Sequence, residues 1–352
     1  QHRAAPGQLT NAEGHELIDQ LTSYERPYPM LVLTGGDCFE RPDLVDLIEY
    51  AVGKGLHVSI SPSVTPLFTR ERVKAVQDAG VSVMSMSLDG GSAETHDAFR
   101  GFPGTFDRTI EACHMLNELG MRFQLNTVFT AKNIHEAPQM LKNAIDLGAF
   151  MFYTFMLVPT GRGQHLDMLT PHEREDVLHW LHDNSTRIAI KTTEAPQYRR
   201  IAFQREAVRQ GKAAPAKHGE LYHWLTKETH ELLGENIEEP RPPRTPLAIN
   251  SGSGFAFIDH TGDVYPSGFL PIHCGSIKDT PFPQIYRESE VFRALRNPSG
   301  FEGKCGACEF NHFCGGSRST AYAMTGNYLA SDPSCAHIPA GYTGELPEGI
   351  ER

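Results

Sequence analysis

In Pro29-Met30-Leu31-Val32-Leu33-Thr34-Gly35-Gly36-Asp37, four consecutive apolar residues are cut off by a pair of glycines and an acid. An apolar run without alternation reads as a strand buried on both faces, as in a parallel sheet. The glycines let the backbone turn and come close to whatever lies beyond the strand end. A helix from Pro42 to Gly53 follows, with Leu44, Leu47, Ile48 and Val52 at helical spacing.

The same alternation repeats outward from this unit. Strands are predicted at His57–Ser61, Val81–Leu88, Phe123–Thr130 and Phe150–Val158, and helices at Thr69–Ala79, Phe106–Leu119 and Ile134–Leu147. Upstream, Thr10 caps a helix to about Ser23, with Glu13 at the capping-box position. Gly80, Gly120 and Gly148 stand where helices stop. Such β/α repeats predict an α/β fold with a parallel sheet and helices outside, either a barrel-like curl or an open doubly wound sheet, with chemistry at the strand ends.

After Thr170 the pattern changes: a helix over Pro171–Asp183, a strand at Arg187–Thr193, and a basic amphipathic helix over Ala195–Gln210. Lys212 to Pro246 is rich in proline and charge, and its apolar stretch His218–Leu233 reads as part of a linker or lid. Phe255-Ala256-Phe257-Ile258, a turn at Asp259–Asp263, and Val264-Tyr265 form a hairpin that opens a small second domain. A helix over Phe282–Leu295 follows, and from Ile338 the chain reads as a loose tail.

Forty-three acids against 32 bases, with no basic run, argue against a nucleic-acid partner. No run approaches the roughly 18 apolar residues of a membrane span. Four of the seven cysteines fall in Lys304-Cys305-Gly306-Ala307-Cys308-Glu309-Phe310-Asn311-His312-Phe313-Cys314 and at Cys335. With no secretory signal, this grouping points to a reducing, cytoplasmic setting. A C-x2-C pair completed by two further thiolates suits zinc or an iron-sulfur cluster equally. Glycine and polar neighbours argue against four merely structural cysteines.

Taken together, these motifs resemble the radical S-adenosylmethionine (AdoMet) enzymes that carry a C-terminal SPASM or twitch extension. Thr34-Gly35-Gly36-Asp37, Ser87-Leu88-Asp89-Gly90 with His96-Asp97-Ala98-Phe99-Arg100-Gly101, and Leu157-Val158-Pro159-Thr160-Gly161-Arg162-Gly163 carry the resemblance. It implies a partial (β/α)6 TIM-like barrel over residues 1–190, linker or lid helices over 191–250, a SPASM/twitch iron-sulfur domain over 251–340 and a tail over 341–352. It further implies AdoMet at the barrel mouth, cleaved reductively to a 5′-deoxyadenosyl radical that abstracts hydrogen from substrate. The family's C-x3-C-x2-C loop for the catalytic 4Fe-4S cluster has no counterpart in this sequence, and the resemblance places it upstream of Gln1.

By the same resemblance, Gly35 and Gly36 approach the methionine moiety and Asp37 binds its ammonium, with a helix N-cap as the plain alternative for Asp37. Ser87 and Arg100 flank the methionine carboxylate. Asn126 and Thr127 suit ribose hydroxyls, as does one of Ser59, Ser61 and Ser63; ordinary strand termination is the alternative for Asn126 and Thr127. Pro159, Gly161 and Arg162 shape the adenine side. Cys305, Cys308, Cys314 and Cys335 hold an auxiliary 4Fe-4S cluster. Ser267 and the Ser317-Arg318 step stand where larger SPASM patterns carry cysteines, which implies one auxiliary cluster rather than two; Cys274 either approaches it or stays apart. Lys191-Thr192-Thr193-Glu194 and Tyr198-Arg199-Arg200 could grip substrate carboxylates but read better as a solvated helix face.

The segment from Cys314 to Cys335 looks most like the haem-biosynthesis branch, which implies hydrogen abstraction from a haem-precursor propionate with the auxiliary cluster as electron acceptor. No individual catalytic residue is assigned. The implied partners are a small-molecule or peptide substrate and a reducing donor such as flavodoxin or ferredoxin. Maturation of a ribosomally made peptide is the rival activity, and a non-catalytic metal-binding scaffold the rival class.

Overall fold

A computed structural model describes residues 6–237, 240–242 and 246–351. Six strands form one parallel sheet in chain order: β1 (Leu31–Leu33), β2 (Val58–Ile60), β3 (Val83–Ser87), β4 (Phe123–Phe129), β5 (Met151–Met156) and β6 (Ala189–Thr193). Each strand pairs only with its neighbours, and β1 does not meet β6. The curl is therefore open, a partial TIM-like barrel. The sixth strand continues the sheet past residue 190.

Strand alternation divides the sheet into two faces. Met84, Met86, Leu125, Phe129 and Phe152 are buried beneath the flanking helices. The intervening residues of β4 and β5 are only half-buried and line the concave face. Helix starts follow local chemistry: Thr10 and Glu13 form the expected capping box, with Glu13 N–H donating to Thr10 Oγ1 over 3.2 Å.

The helix Glu220–Leu233, expected within a linker or lid, is docked as a structural element. Leu225 is fully buried, and Trp180 Nε1 donates to Thr229 Oγ1 over 2.9 Å, joining it to the helix Pro171–Asn184. The apolar spacing of Leu221, Trp224 and Leu225 already marked a packing face; the surrounding prolines concealed it.

Downstream lies a small antiparallel sheet of β7 (Phe257–Ile258), β8 (Asp263–Tyr265) and β9 (Gly275–Ser276). Asp259 Oδ1 accepts from Thr261 and Asp263 N–H groups, which sets the hairpin turn. The helix expected over Phe282–Leu295 breaks at Ser289, whose extended backbone separates Phe282–Glu288 from Glu290–Leu295. Nor is the tail wholly loose, since Ile350 is buried.

Replacing Leu225 with Ala should cost about 2–5 kcal/mol, the usual range for a cavity of that size in a packed core. Thermal or denaturant unfolding measures this, and an unchanged midpoint would mean that the helix is a detached lid.

Candidate functional site

The mouth at the C-terminal ends of the strands begins with the turn after β1. Gly35 has φ +141°, a conformation side chains rarely adopt, and a Cβ at Gly35 or Gly36 would meet nothing within 4 Å. This turn therefore borders open space. Asp37 is held by its surroundings: its carboxylate accepts from Phe39 N–H (3.1 Å), Ser63 N–H (3.4 Å) and Thr65 Oγ1 (2.6 Å). Ser63 Oγ donates to Gly36 O over 2.6 Å. Asp37 thus caps the short turn Cys38–Glu40 and staples the loops after β1 and β2.

Ser87 ends β3 half-buried, in register with Asn126. The loop beyond it is tightly fixed. Asp89 is buried, accepts from Val128 N–H over 2.8 Å and forms an ion pair with Arg100. Arg100, expected beside a methionine carboxylate, is thus already committed in part to Asp89. A Cβ on Gly90 would lie 2.4 Å from His96 N, so only glycine fits there. Asp89 and the buried His96 belong to the quoted motif but were given no role there, although their spacing to Arg100 carried the signal.

Thr127 corrects an expectation. It is buried on the helix-facing side, its hydroxyl donating to Leu88 O over 2.6 Å, whereas Asn126 lies on the concave face. Adjacent strand residues point oppositely, so the two cannot serve one ribose. Ser59 is buried and Ser61 follows β2. Pro159 and Gly161 lie in the loop after β5, Gly161 with φ +53° facing open space. The Arg162 side chain lies outside the described residues.

Lys191, Thr192 and Thr193 belong to β6, in keeping with the strand expected over Arg187–Thr193 and not with the solvated helix face also considered for them. Glu194 follows in a left-handed conformation (φ 56°) and is buried. Its carboxylate accepts from Ser317 Oγ (2.5 Å), Ser319 Oγ (3.0 Å) and Ser267 Oγ (3.4 Å). Two of the serines noted for replacing cysteines thus converge on one carboxylate. Burial raises the Glu194 pKa, outweighing these hydrogen bonds and the Arg174 charge.

Cys305, Cys308, Cys314 and Cys335 line a single cavity together with Arg200 and Lys304. Asp332 N–H approaches Cys305 Sγ at 3.2 Å, Arg318 Nη2 the same sulfur at 3.4 Å, and Phe310 N–H reaches Cys308 Sγ at 3.4 Å. Burial pushes the Cys314 thiol up to about 12 and the Cys335 thiol up to about 11. Around the cavity, Lys304 and Arg318 are almost fully buried, and Arg199 nearly so. Lys304 donates to Cys335 O, and Arg199 to the Leu247, Ile249 and Cys314 carbonyls. Among the described residues none of these three cations is paired with a carboxylate. Buried cations without counter-ions are costly, and an anionic four-thiolate centre would supply the missing charge. The donor set fits an iron-sulfur cluster. Cys274 stays apart at the hairpin, its thiol near Ile272 O, while Cys38 and Cys113 are buried singly.

Residues 4–144 match the family model described as "Radical SAM superfamily". The chain is 39% identical over 338 residues to an "AdoMet-dependent heme synthase" of Oleidesulfovibrio alaskensis, covering 95% of this chain and 81% of that protein. It is 38% identical to one of the same name from Methanosarcina barkeri, covering 95% and 89%. Streptococcus suis SuiB bound to S-adenosylmethionine superposes with a TM-score of 0.64 at 12% identity, over 96% of this chain and 72% of that one. At that identity, the likeness is one of fold. No described helix is long and apolar enough to cross a membrane.

The raised Glu194 pKa has a signed consequence. Stability that the wild type holds relative to Glu194→Gln is fully present below the ordinary carboxyl value of 4.5 and is lost as pH rises through the raised native value. Thermal midpoints measured across pH should show the wild type falling relative to Glu194→Gln as pH climbs above 4.5. A constant difference would contradict this.

Proposed function

This chain belongs to the radical SAM superfamily and is an enzyme, and we propose that it converts a propionate side chain of a haem precursor by hydrogen abstraction and decarboxylation. The observation that carries this reading is the four-cysteine cavity with its uncompensated buried cations, in a chain whose heme-synthase relatives match along 95% of its length.

We read the barrel unit, expected over residues 1–190, as running through the end of β6 at Thr193, the residues from there to 250 as connecting helices and 251–340 as the auxiliary-cluster unit. AdoMet would lie along Gly35 and Gly36, where the backbone leaves open space, and extend past Ser87 and Asn126 on the concave face. Arg100, positioned by Asp89, offers its remaining donors toward the carboxylate end, and Pro159 and Gly161 close the adenine side. When bound, AdoMet would supply radical chemistry: one electron would cleave its S–C5′ bond, leaving methionine and a 5′-deoxyadenosyl radical able to take a hydrogen atom from the substrate. The described residues offer no cysteine set at the mouth that fits a reducing cluster. A one-electron donor such as flavodoxin or ferredoxin is the partner this chemistry calls for.

Cys305, Cys308, Cys314 and Cys335 would hold a 4Fe-4S cluster, which supplies an acceptor for the electron released when a propionate radical loses carbon dioxide and becomes a vinyl group. Lys304, Arg318 and Arg199 stabilise the negative charge of such a site. The N–H groups directed at Cys305 and Cys308 raise its affinity for an added electron.

With reduced holoenzyme, AdoMet and iron coproporphyrin III, 5′-deoxyadenosine should form together with a porphyrin lighter by carbon dioxide and two hydrogen atoms for each propionic acid arm converted, one hydrogen going to the deoxyadenosyl radical and the other leaving as the carboxyl proton. Mass spectrometry reads both products. Deoxyadenosine formation coupled to a peptide and indifferent to the porphyrin would end the haem reading. Cys335→Ala should lose about four iron atoms per chain on metal analysis and fail to yield the vinyl product.

A further inference from the structure

The strand registers place four residues in one row across the sheet. Ser87 pairs with Asn126, Asn126 with Tyr153, and Tyr153 with Lys191. Residues in register share a face, so all four project from the concave side, opposite the helix-packed Met86, Leu125 and Phe152. Adjacent strands lie about 4.8 Å apart, which puts Lys191 about 14 Å from Ser87 along the row. The Ser87 end adjoins the glycine turn. Lys191 marks the opposite end.

Lys191 is exposed although it belongs to the sheet. Its ammonium lies 4.6 Å from the centroid of the Tyr153 ring, and among the described residues no carboxylate pairs with it. The Tyr153 hydroxyl bonds Thr193 Oγ1, which fixes the ring beneath the ammonium. Nearby strand residues on this face are neutral: Ser85, Gln124, Val128, Phe155 and Thr193. Two positions along from Tyr153, Phe155 meets Phe269 of the C-terminal unit edge-on, with ring centroids 6.4 Å apart. Phe269 keeps 37% exposure and adds an apolar wall. A free cation beside aromatic walls suits a ligand that combines a flat apolar body with a carboxylate arm.

We propose that Lys191 is the specificity-determining residue for a substrate carboxylate, holding one acidic arm of the ring system at the β6 end of the concave face while the β1–β3 end takes AdoMet. This assignment rests on the haem-precursor reading and names the group that orients the substrate. An ammonium beside a tyrosine face makes a charge-assisted bond to a carboxylate, and an amide of the same shape cannot replace it. Tyr153, held by Thr193, is the positioning residue for that ammonium.

The test titrates unreduced holoenzyme with iron coproporphyrin III and with its neutral tetraamide, followed by the porphyrin absorbance, for the wild type, Lys191→Met and Lys191→Arg. The wild type should prefer the acid over the amide. Lys191→Met should weaken acid binding about tenfold, the scale of one charge-assisted bond, and abolish the preference. Lys191→Arg should restore most of both. In turnover, the Met variant should raise KM more than it lowers kcat. Equal affinity of wild type and Lys191→Met for the acid, in a wild type that binds it, overturns the role of Lys191 and leaves the haem reading standing. A wild type that binds neither porphyrin overturns both.

Discussion

A charge taken out of water must be balanced, and the C-terminal half of this protein is arranged around that requirement. Lys304, Arg318 and Arg199 are buried without carboxylate partners among the described residues, beside four cysteines, of which Cys308, Cys314 and Cys335 have thiols whose pKa burial raises. Each half of this arrangement is unfavourable alone. A metal centre held there would resolve both at once, because it would deprotonate the thiols and the resulting anion would compensate the cations. Arg200 differs: it also lines the cavity but is neutralised by a bidentate contact with Glu175, at 2.8 and 2.6 Å.

The same network ties the cysteine site to the barrel. Asp332 donates its N–H to Cys305 Sγ and accepts from Ser317 N–H over 2.7 Å and from Gln197 Nε2 over 2.6 Å. Ser317 in turn donates to Glu194, immediately after β6. A continuous set of hydrogen bonds therefore runs from the last strand of the sheet to a cysteine of the cavity. It sets the position of the small unit relative to the concave face, where Phe269 reaches Phe155.

Much of the barrel was legible because parallel strands and their covering helices write themselves as local patterns. The apolar run at residues 30–33, the helical spacing of Leu44, Leu47 and Ile48, and the capping box at Thr10 each depend on near neighbours only. The run is not buried on both faces as expected: Met30 and Val32 are exposed, because β1 is the edge strand of the sheet. The spacing of the four cysteines was legible for the same reason. Less legible was the segment after residue 190. The strand over Arg187–Thr193 was legible, but charge in a short window says nothing of what it packs against: Tyr198-Arg199-Arg200 read as a solvated helix face, yet all three are buried. Thr127 was grouped with Asn126 because neighbours in sequence look like neighbours in space, yet strand alternation sends them to opposite faces. Proline-rich flanks hid the packing of Leu225.

The sequence by itself determined the β/α repeat, the glycine turn after β1 and a four-cysteine set, since periodicity, backbone freedom and ligand spacing are properties of a few adjacent residues. Only the tertiary structure decided which cations lose their water beside those cysteines, that three serines converge on Glu194, and that Ser87, Asn126, Tyr153 and Lys191 share one row. Register and burial arise between segments far apart in the chain, and the balance of charge is settled only when those segments meet.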